Sequence, residues 1–268
     1  MAGNGFALIG LGGIGGEVLR LSQGGGGPAC RAVLVRAEKA GEARGRVPAG
    51  VAVVSDVPAL LATGVATVVD CAGHQGLRSY GEAVLRGGAD LLTVSSGAFS
   101  DPALEQALRA ARDASGQRLL IATGGILGID GLQAARHSGL TRVTYRGVKP
   151  AKAWRGTPAE KLVDLDTLSQ AVEFYRGSAR ESAAQYPANA NVTATIALAG
   201  IGFEKTEVVL VADPAAPGIL HEITFAGGFG EARIEIRGRP SAANPRTSVL
   251  TGLSVWQALL SGTAFPLP

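Results

Sequence analysis

Up to about residue 124 the chain repeats one pattern: a short, almost unbroken apolar run, then a stretch in which apolar residues recur every three or four positions. The runs FALIGLG, RAVLVR, VATVVDCA, DLLTVSS and RLLIATGG predict strands buried on both faces, because a strand covered on one side only would alternate. Between them, residues 15–22, 57–62, 77–85 and 101–114 carry helical spacing. Regular exchange of buried strand and amphipathic helix predicts an α/β fold built on a Rossmann-type, doubly wound parallel sheet.

After Gly125 the pattern becomes alternating. In GILHEITFAGGFGEARIEIRGRP, Ile219, His221, Ile223 and Phe225 fall on one face and Leu220, Glu222 and Thr224 on the other. Ala232, Ile234 and Ile236 likewise alternate with Arg233, Glu235 and Arg237, which predicts an antiparallel sheet with one covered face. Thr157 with Glu160 brackets Pro158, and Ser178 precedes Glu181 by three residues, both of capping-box form. In NPRTSVLTGLSVWQALL, Val249, Leu253, Trp256 and Leu260 form one stripe behind Asn244 and Pro245, so a helix over 244–262 is expected to pack back on the first domain. The expected organisation is a dinucleotide-binding domain over 1–124, completed by that helix, and a second α+β domain over 125–243 on a mainly antiparallel sheet. Gly24 to Gly27 read as a flexible turn.

Composition narrows the chemistry. A chain of 268 residues with 46% hydrophobic content has enough apolar material for a substantial core. Its net charge of +3 is small, and no Lys/Arg run is interleaved with aromatics, so no nucleic-acid partner is expected and anionic small molecules suit it better. Cys30 and Cys71 lie far apart without a CxxC pattern, as buried thiols in a reducing compartment would. Glycines interrupt the first apolar stretch and no run of 18 apolar residues occurs, so a cytoplasmic protein without a membrane span is expected.

The sharpest local signal is Gly10, Gly12 and Gly15 between a strand and a helix that begins with Ile14. Gly10 allows the tight turn, Gly12 lets backbone approach a pyrophosphate, and Gly15 lets helix close on strand. Arg36 stands at the end of the second strand, where many such folds carry an acidic residue for the ribose hydroxyls; it is placed to meet a 2′-phosphate, or is an ordinary solvated arginine. Ligands in these sheets sit at the carboxyl ends of the strands, so CAGHQG (Cys71 to Gly76, with Ala72, Gly73 and His74) and SSGAFSD (Ser95 to Asp101) should line the crevice. His74 can equally be a capping or loop residue, and His137 reads as a partner of a helix C-terminus. For His221 two readings stay open from pattern alone: a hydrogen-bonded core histidine, or the group that exchanges a proton near neutral pH. No His, Cys, Asp and Glu grouping has metal-ligand spacing, so no metal is expected, and there is no Gly-x-Ser-x-Gly elbow.

Taken together, GLGGIGGEVL, VVDCAGHQGLRSYG, IATGGILGIDGL, VKPAKAWRGTPAEKLVDLD, the segment from Arg176 to Gly230 and RPSAANPRTSVLTGLSVWQAL resemble the L-aspartate dehydrogenase family over nearly the whole chain. The resemblance implies NAD- or NADP-dependent oxidation of L-aspartate to iminoaspartate, or in reverse reductive amination of oxaloacetate, feeding NAD biosynthesis. It also implies a catalytic role for His221 and cofactor contacts at Gly125 and Asn191. Many relatives carry alanine where Gly125 stands, and the acidic residue after the second strand is absent here. Such a substrate has two carboxylates, and Lys149, Lys152, Arg155, Ser178 at a helix start and Arg180 are the candidate donors, with Lys149, Ser178 and Arg180 foremost. Asn189 reads as the cap of the helix that Asn191 opens. Open edges of the second sheet suggest a homodimer. Competing readings are a related two-domain reductase of homoserine-like or cyclic-imine substrates, and a catalytically silent NAD(P)-binding sensor.

Overall fold

A computed structural model of the chain describes residues 5–241 and 244–268. They form two compact units, one of residues up to Gly124 together with Ser241–Leu267, the other Gly125–Pro240.

The first unit is built on a seven-stranded sheet. In chain order its elements are β1 (Phe6–Ile9), α1 (Gly13–Ser22), β2 (Cys30–Leu34), α2 (Ala40–Arg44), β3 (Ala52–Val54), α3 (Val57–Leu61), β4 (Thr67–Asp70), α4 (Gly73–Arg86), β5 (Asp90–Thr93), α5 (Pro102–Ser115) and β6 (Leu119–Ile121). The strands lie in the order β14-β6-β5-β4-β1-β2-β3, all parallel except the short β14 (Phe265–Pro266) against β6. The expected doubly wound sheet is therefore the one observed. Its order reverses beside β1: the chain builds β2 and β3 on one side, then returns to lay β4 on the other. Leu8, Val33, Val69, Leu92 and Leu120 share one side of the sheet's core, which is why these strands read as continuous apolar runs.

The second unit continues with α6 (Ile129–Arg136), β7 (Leu140–Lys149), β8 (Val172–Ser178), α7 (Ala179–Gln185), α8 (Ala190–Ala199), β9 (Glu207–Ala212), β10 (Ile219–Gly227) and β11 (Gly230–Gly238). Its sheet runs β11-β10-β7-β9-β8 and is antiparallel except where β7 lies beside β9. Ser178 closes a reciprocal capping box with Glu181 at the start of α7. Thr157 caps only a short 3₁₀ turn, Pro158–Lys161, without the reciprocal bond expected there.

After β12 (Pro240–Ser241), the C-terminal segment departs from expectation. Asn244–Ser248 form a strand, β13, rather than the first turn of the helix, and α9 (Val249–Ser261) starts behind Ser248, whose Oγ accepts from Leu250 N–H. The buried face of α9 is also different: Val249, Leu253 and Leu260 are 44%, 39% and 46% exposed, whereas Val255, Ala258 and Leu259 are buried with Val18 and Leu19 of α1. Gly252 sets this choice. A Cβ there would lie 2.9 Å from Glu17 Cγ, so α9 approaches α1 through the one residue without a side chain. Gly27 is likewise a contact rather than loose chain, since a Cβ would fall 2.6 Å from the Trp256 ring.

Candidate active site

On the first unit, the carboxyl ends of β1, β2 and β4 open into a cleft of about 560 Å³. Gly10 and Gly12, Arg36 and Lys39, and Cys71, Ala72, Gln75 and Gly76 of CAGHQG line it, with Glu42, Arg46 and Tyr80, which pattern had not singled out. The three glycines differ in what they permit. Gly10 holds φ +89°, and its Cβ position lies 3.0 Å from Ala72 Cα. A Cβ at Gly15 would overlap the Gly10 carbonyl oxygen, so α1 closes directly on the turn. At Gly12, by contrast, a Cβ would meet nothing within 4 Å, and the space belongs to the cleft. Helix α1 begins behind Gly12 with no side-chain cap and no acidic residue in its first turn, which leaves its N–H groups and positive end for an anion. A dinucleotide pyrophosphate fits this arrangement.

Asp70, at the end of β4, holds the facing wall. Its buried carboxylate accepts from Thr93 Oγ1 at 2.7 Å, Ser95 Oγ at 2.6 Å and Ala72 N–H at 3.0 Å, tying two strand ends to the turn that abuts Gly10. Burial raises its pKa against those three bonds. Gly73, at φ +79°, and half-buried His74 open α4 next to this wall but do not line the cleft, nor do Ile14 and the SSGAFSD segment expected there, whose Ser95 instead bonds Asp70. Arg36 is exposed and pairs with Glu38 at 3.2 Å; Lys39 and Arg46 flank Glu42 at 3.3 and 3.4 Å, so three cations share this rim with two carboxylates.

On the second unit, period-2 geometry puts Tyr145, Gly147 and Lys149 of β7 on the same sheet face as His221 and Ile223 of β10, with His221 opposite Gly147 and Ile223 opposite Tyr145. His221 is 8% exposed, and its Nδ1 shares a 2.9 Å hydrogen bond with the Tyr145 hydroxyl. Burial, helped by the charge of Lys149, lowers the His221 pKa to about 4, so the imidazole is neutral near pH 7. Lys149 is itself pushed down to about 8 by burial. Its Nζ donates to Asn189 Oδ1 at 2.5 Å and lies 4.8 Å from the centre of the Trp154 ring. Lys149 forms no ion pair with a carboxylate among the described residues. Asn189 stands at the cap position of α8 without capping it: its oxygen serves Lys149, and its Nδ2 is buried with no partner.

The other candidates fall elsewhere. Ser178 is committed to the α7 cap, and Arg180 pairs with Glu204 while its guanidinium lies over Phe203. Arg155 pairs with Asp166 on an exposed loop, and exposed His137 ends α6. Asn191 lies exposed in the first turn of α8, and half-buried Gly125 follows β6. Tyr145, Gly147 and the Lys149–Asn189 contact were not recognised from sequence, although TYRGVK carries Tyr, Gly and Lys at alternate positions.

A glycine-turn cleft at the reversal point of a parallel sheet, and a largely desolvated histidine–lysine face on an antiparallel sheet, define a nicotinamide-dinucleotide oxidoreductase fold. A family model described as homoserine dehydrogenase, NAD binding domain, matches residues 10–122, and one described as aspartate dehydrogenase, C-terminal, matches residues 130–262. L-aspartate dehydrogenase of Serratia proteamaculans is 48% identical over 192 residues, covering 71% of this chain and 72% of that protein. The enzyme of Cupriavidus taiwanensis is 41% identical over 253 residues, covering 94% and 95%. The crystal structure of aspartate dehydrogenase from Thermotoga maritima superposes with a TM-score of 0.75 at 24% identity over 97% of both chains, which shows the shared fold. The chain belongs to the L-aspartate dehydrogenase family.

The different roles of two glycines give a direct test of the cleft. Gly12→Val should fold normally yet lose NADH affinity by at least about ten-fold in a fluorescence titration, because the new methyls occupy ligand space. Gly15→Val should instead lower the thermal midpoint, because it separates α1 from the turn. Unchanged NADH affinity in folded Gly12→Val would make the turn purely structural.

Proposed function

We propose that this chain catalyses NAD(P)-dependent oxidative deamination of L-aspartate to iminoaspartate, with His221 as the acid–base group and Lys149 as a carboxylate partner. The observation that carries the reading is a largely desolvated ammonium without a carboxylate partner among the described residues. Half-buried Lys149 holds a partly desolvated cation beside an amide oxygen and a ring face, a state that an arriving carboxylate stabilises. The unpartnered Asn189 Nδ2, on the same amide, supplies a second donor.

The nicotinamide, when bound, supplies the acceptor for the hydride leaving the substrate Cα. The protein's share is to hold that carbon in place and manage a proton, since the amine must be neutral when hydride leaves. Neutral His221 has a lone pair for that proton. A carboxylate against Lys149 offsets the positive charge that depresses His221, so the substrate itself makes the imidazole more basic. Gly10, Gly12 and Ala72, which line the cleft, are the proposed dinucleotide contacts, with Gly15 shaping the turn; Ile14, Gly73 and His74 lie outside the lining, and contacts at Gly125 and Asn191 rest on family membership alone. Ser178 and Arg180, engaged in the α7 cap and with Glu204, are secondary as substrate donors.

Further parts of the reading rest on family membership and local chemistry. The product suits a role in NAD biosynthesis. Unbridged Cys30 and Cys71 support a cytoplasmic location, and no helix among the described residues is long and apolar enough to cross a membrane. The open edges of β11 and β8 favour a homodimer. Arg36, with Lys39 and Arg46 on the same rim, supports use of NADP.

Initial rates with L-aspartate, L-homoserine and oxaloacetate plus ammonia test the assignment; activity confined to homoserine would overturn it. His221→Ala should lower kcat for L-aspartate by roughly 10²-fold or more while cofactor still binds. Wild-type turnover in that variant would remove His221 from the mechanism.

Arg36→Asp should raise the KM for NADP roughly ten-fold more than that for NAD, and added salt should shrink the difference, as befits an exposed phosphate contact. Equal changes for both cofactors would make Arg36 a bystander.

A further inference from the structure

The face that carries His221 is shaped around a phenol. Tyr145 sits diagonally from His221 across the β7–β10 ladder, its ring centroid 5.9 Å from the imidazole and tilted 30° to it. The residue between them in space is Gly147. A Cβ there would lie 2.7 Å from the Tyr145 hydroxyl and 3.1 Å from its Cζ. Glycine weakens a strand interior, and Gly147 is not among the residues with positive φ. Its place in β7 is explained by the room it leaves for the hydroxyl to reach Nδ1.

What that hydroxyl does follows from the number of protons involved. A neutral imidazole has one N–H, and the nitrogen that carries it is set by the bond the other nitrogen makes. A carboxylate at Nδ1 would fix the proton there and raise basicity; a phenol can either donate or accept. Tyr145 is fully buried and burial pushes its own pKa up, so it stays a neutral O–H and does not compete for the proton. The charged group that bears on the imidazole is Lys149. His221 Nε2 makes no hydrogen bond among the described residues.

We propose that Tyr145 is the positioning residue of His221: its hydroxyl oxygen accepts a hydrogen bond from Nδ1–H, which fixes the ring with the Nε2 lone pair free and keeps the inner proton partnered when Nε2 takes up another. In the resting protein the one imidazole proton sits on Nδ1 and the hydroxyl oxygen accepts a hydrogen bond from it, which leaves the Nε2 lone pair open. When Nε2 gains a proton, Nδ1–H points at the hydroxyl oxygen and the imidazolium has its inner proton partnered. Without the hydroxyl, that proton would be buried against nothing. The proposal rests on the reading of His221 as the acid–base group.

The test uses the full chain carrying Tyr145→Phe, Gly147→Ala, both together, and His221→Ala as reference. Tyr145→Phe should lower kcat with L-aspartate by about 10- to 100-fold, the scale for losing the partner that orients an imidazole, with dinucleotide affinity and the KM for L-aspartate little changed. The ¹⁵N resonance of His221 Nδ1, assigned by its disappearance in His221→Ala, should shift. Gly147→Ala should reproduce both effects, and should cost less when added to Tyr145→Phe, because the hydroxyl it collides with is then gone. Near wild-type kcat in Tyr145→Phe beside an inactive His221→Ala would overturn the proposal and leave His221 in its role. A lowered kcat with an unmoved Nδ1 resonance would also overturn it. An active His221→Ala would overturn the reading beneath it and the proposal together.

Discussion

Desolvation of a few polar side chains on one sheet face is the constraint on which the second unit turns. Tyr145, Lys149 and His221 lie where the alternation of β7 and β10 would place core residues; Tyr145 and His221 are buried there and Lys149 is half-buried and largely desolvated. Burial lowers the pKa of both the lysine and the histidine, because each is charged when protonated, and raises that of the tyrosine, which is charged when deprotonated. One effect thus yields a neutral imidazole, a neutral phenol and an ammonium only a little above neutrality. The opposite face, with Arg146, Glu222, Arg233 and Glu235 in mutual ion pairs, shows the solvated alternative.

The first unit solves a different problem by removing side chains. Gly15 lets α1 lie against the turn, Gly10 turns beside Ala72, and Gly12 leaves open space at an uncapped helix start. Asp70 then holds the opposite wall by accepting three hydrogen bonds from two strand ends and a turn. A rigid, side-chain-free approach and a positive helix end are what an anionic dinucleotide requires.

Much of this was legible in the sequence, for physical reasons that also explain what was not. Strands β1, β2, β4, β5 and β6 are largely buried on both faces and announce themselves as apolar runs, while β3 is a partly exposed edge strand and β14 is two residues long. The glycine turn reads from its spacing, and His221 from the alternation of β10. Register does not read from pattern: the Tyr145–His221 bond joins residues 76 apart, and the Lys149–Asn189 bond joins residues 40 apart. In α9 the apolar residues surround much of the helix, so their spacing did not choose a face; Gly252 did, by allowing close approach to α1. Asn189 has the right residue type for a cap, yet the Lys149 ammonium claims its oxygen.

The central claim is that Lys149 is a half-buried, largely desolvated cation awaiting a carboxylate, and its titration tests this most directly. With lysine side chains isotopically labelled and Lys149 assigned by Lys149→Met, NMR should find a pKa near 8 in the free protein. Succinate, a four-carbon dicarboxylate with no amine to oxidise, added at concentrations that inhibit L-aspartate oxidation, should raise that value, because a neighbouring carboxylate favours the charged form. A free-protein value at the ordinary level for lysine, or one that succinate leaves unmoved, would contradict the account.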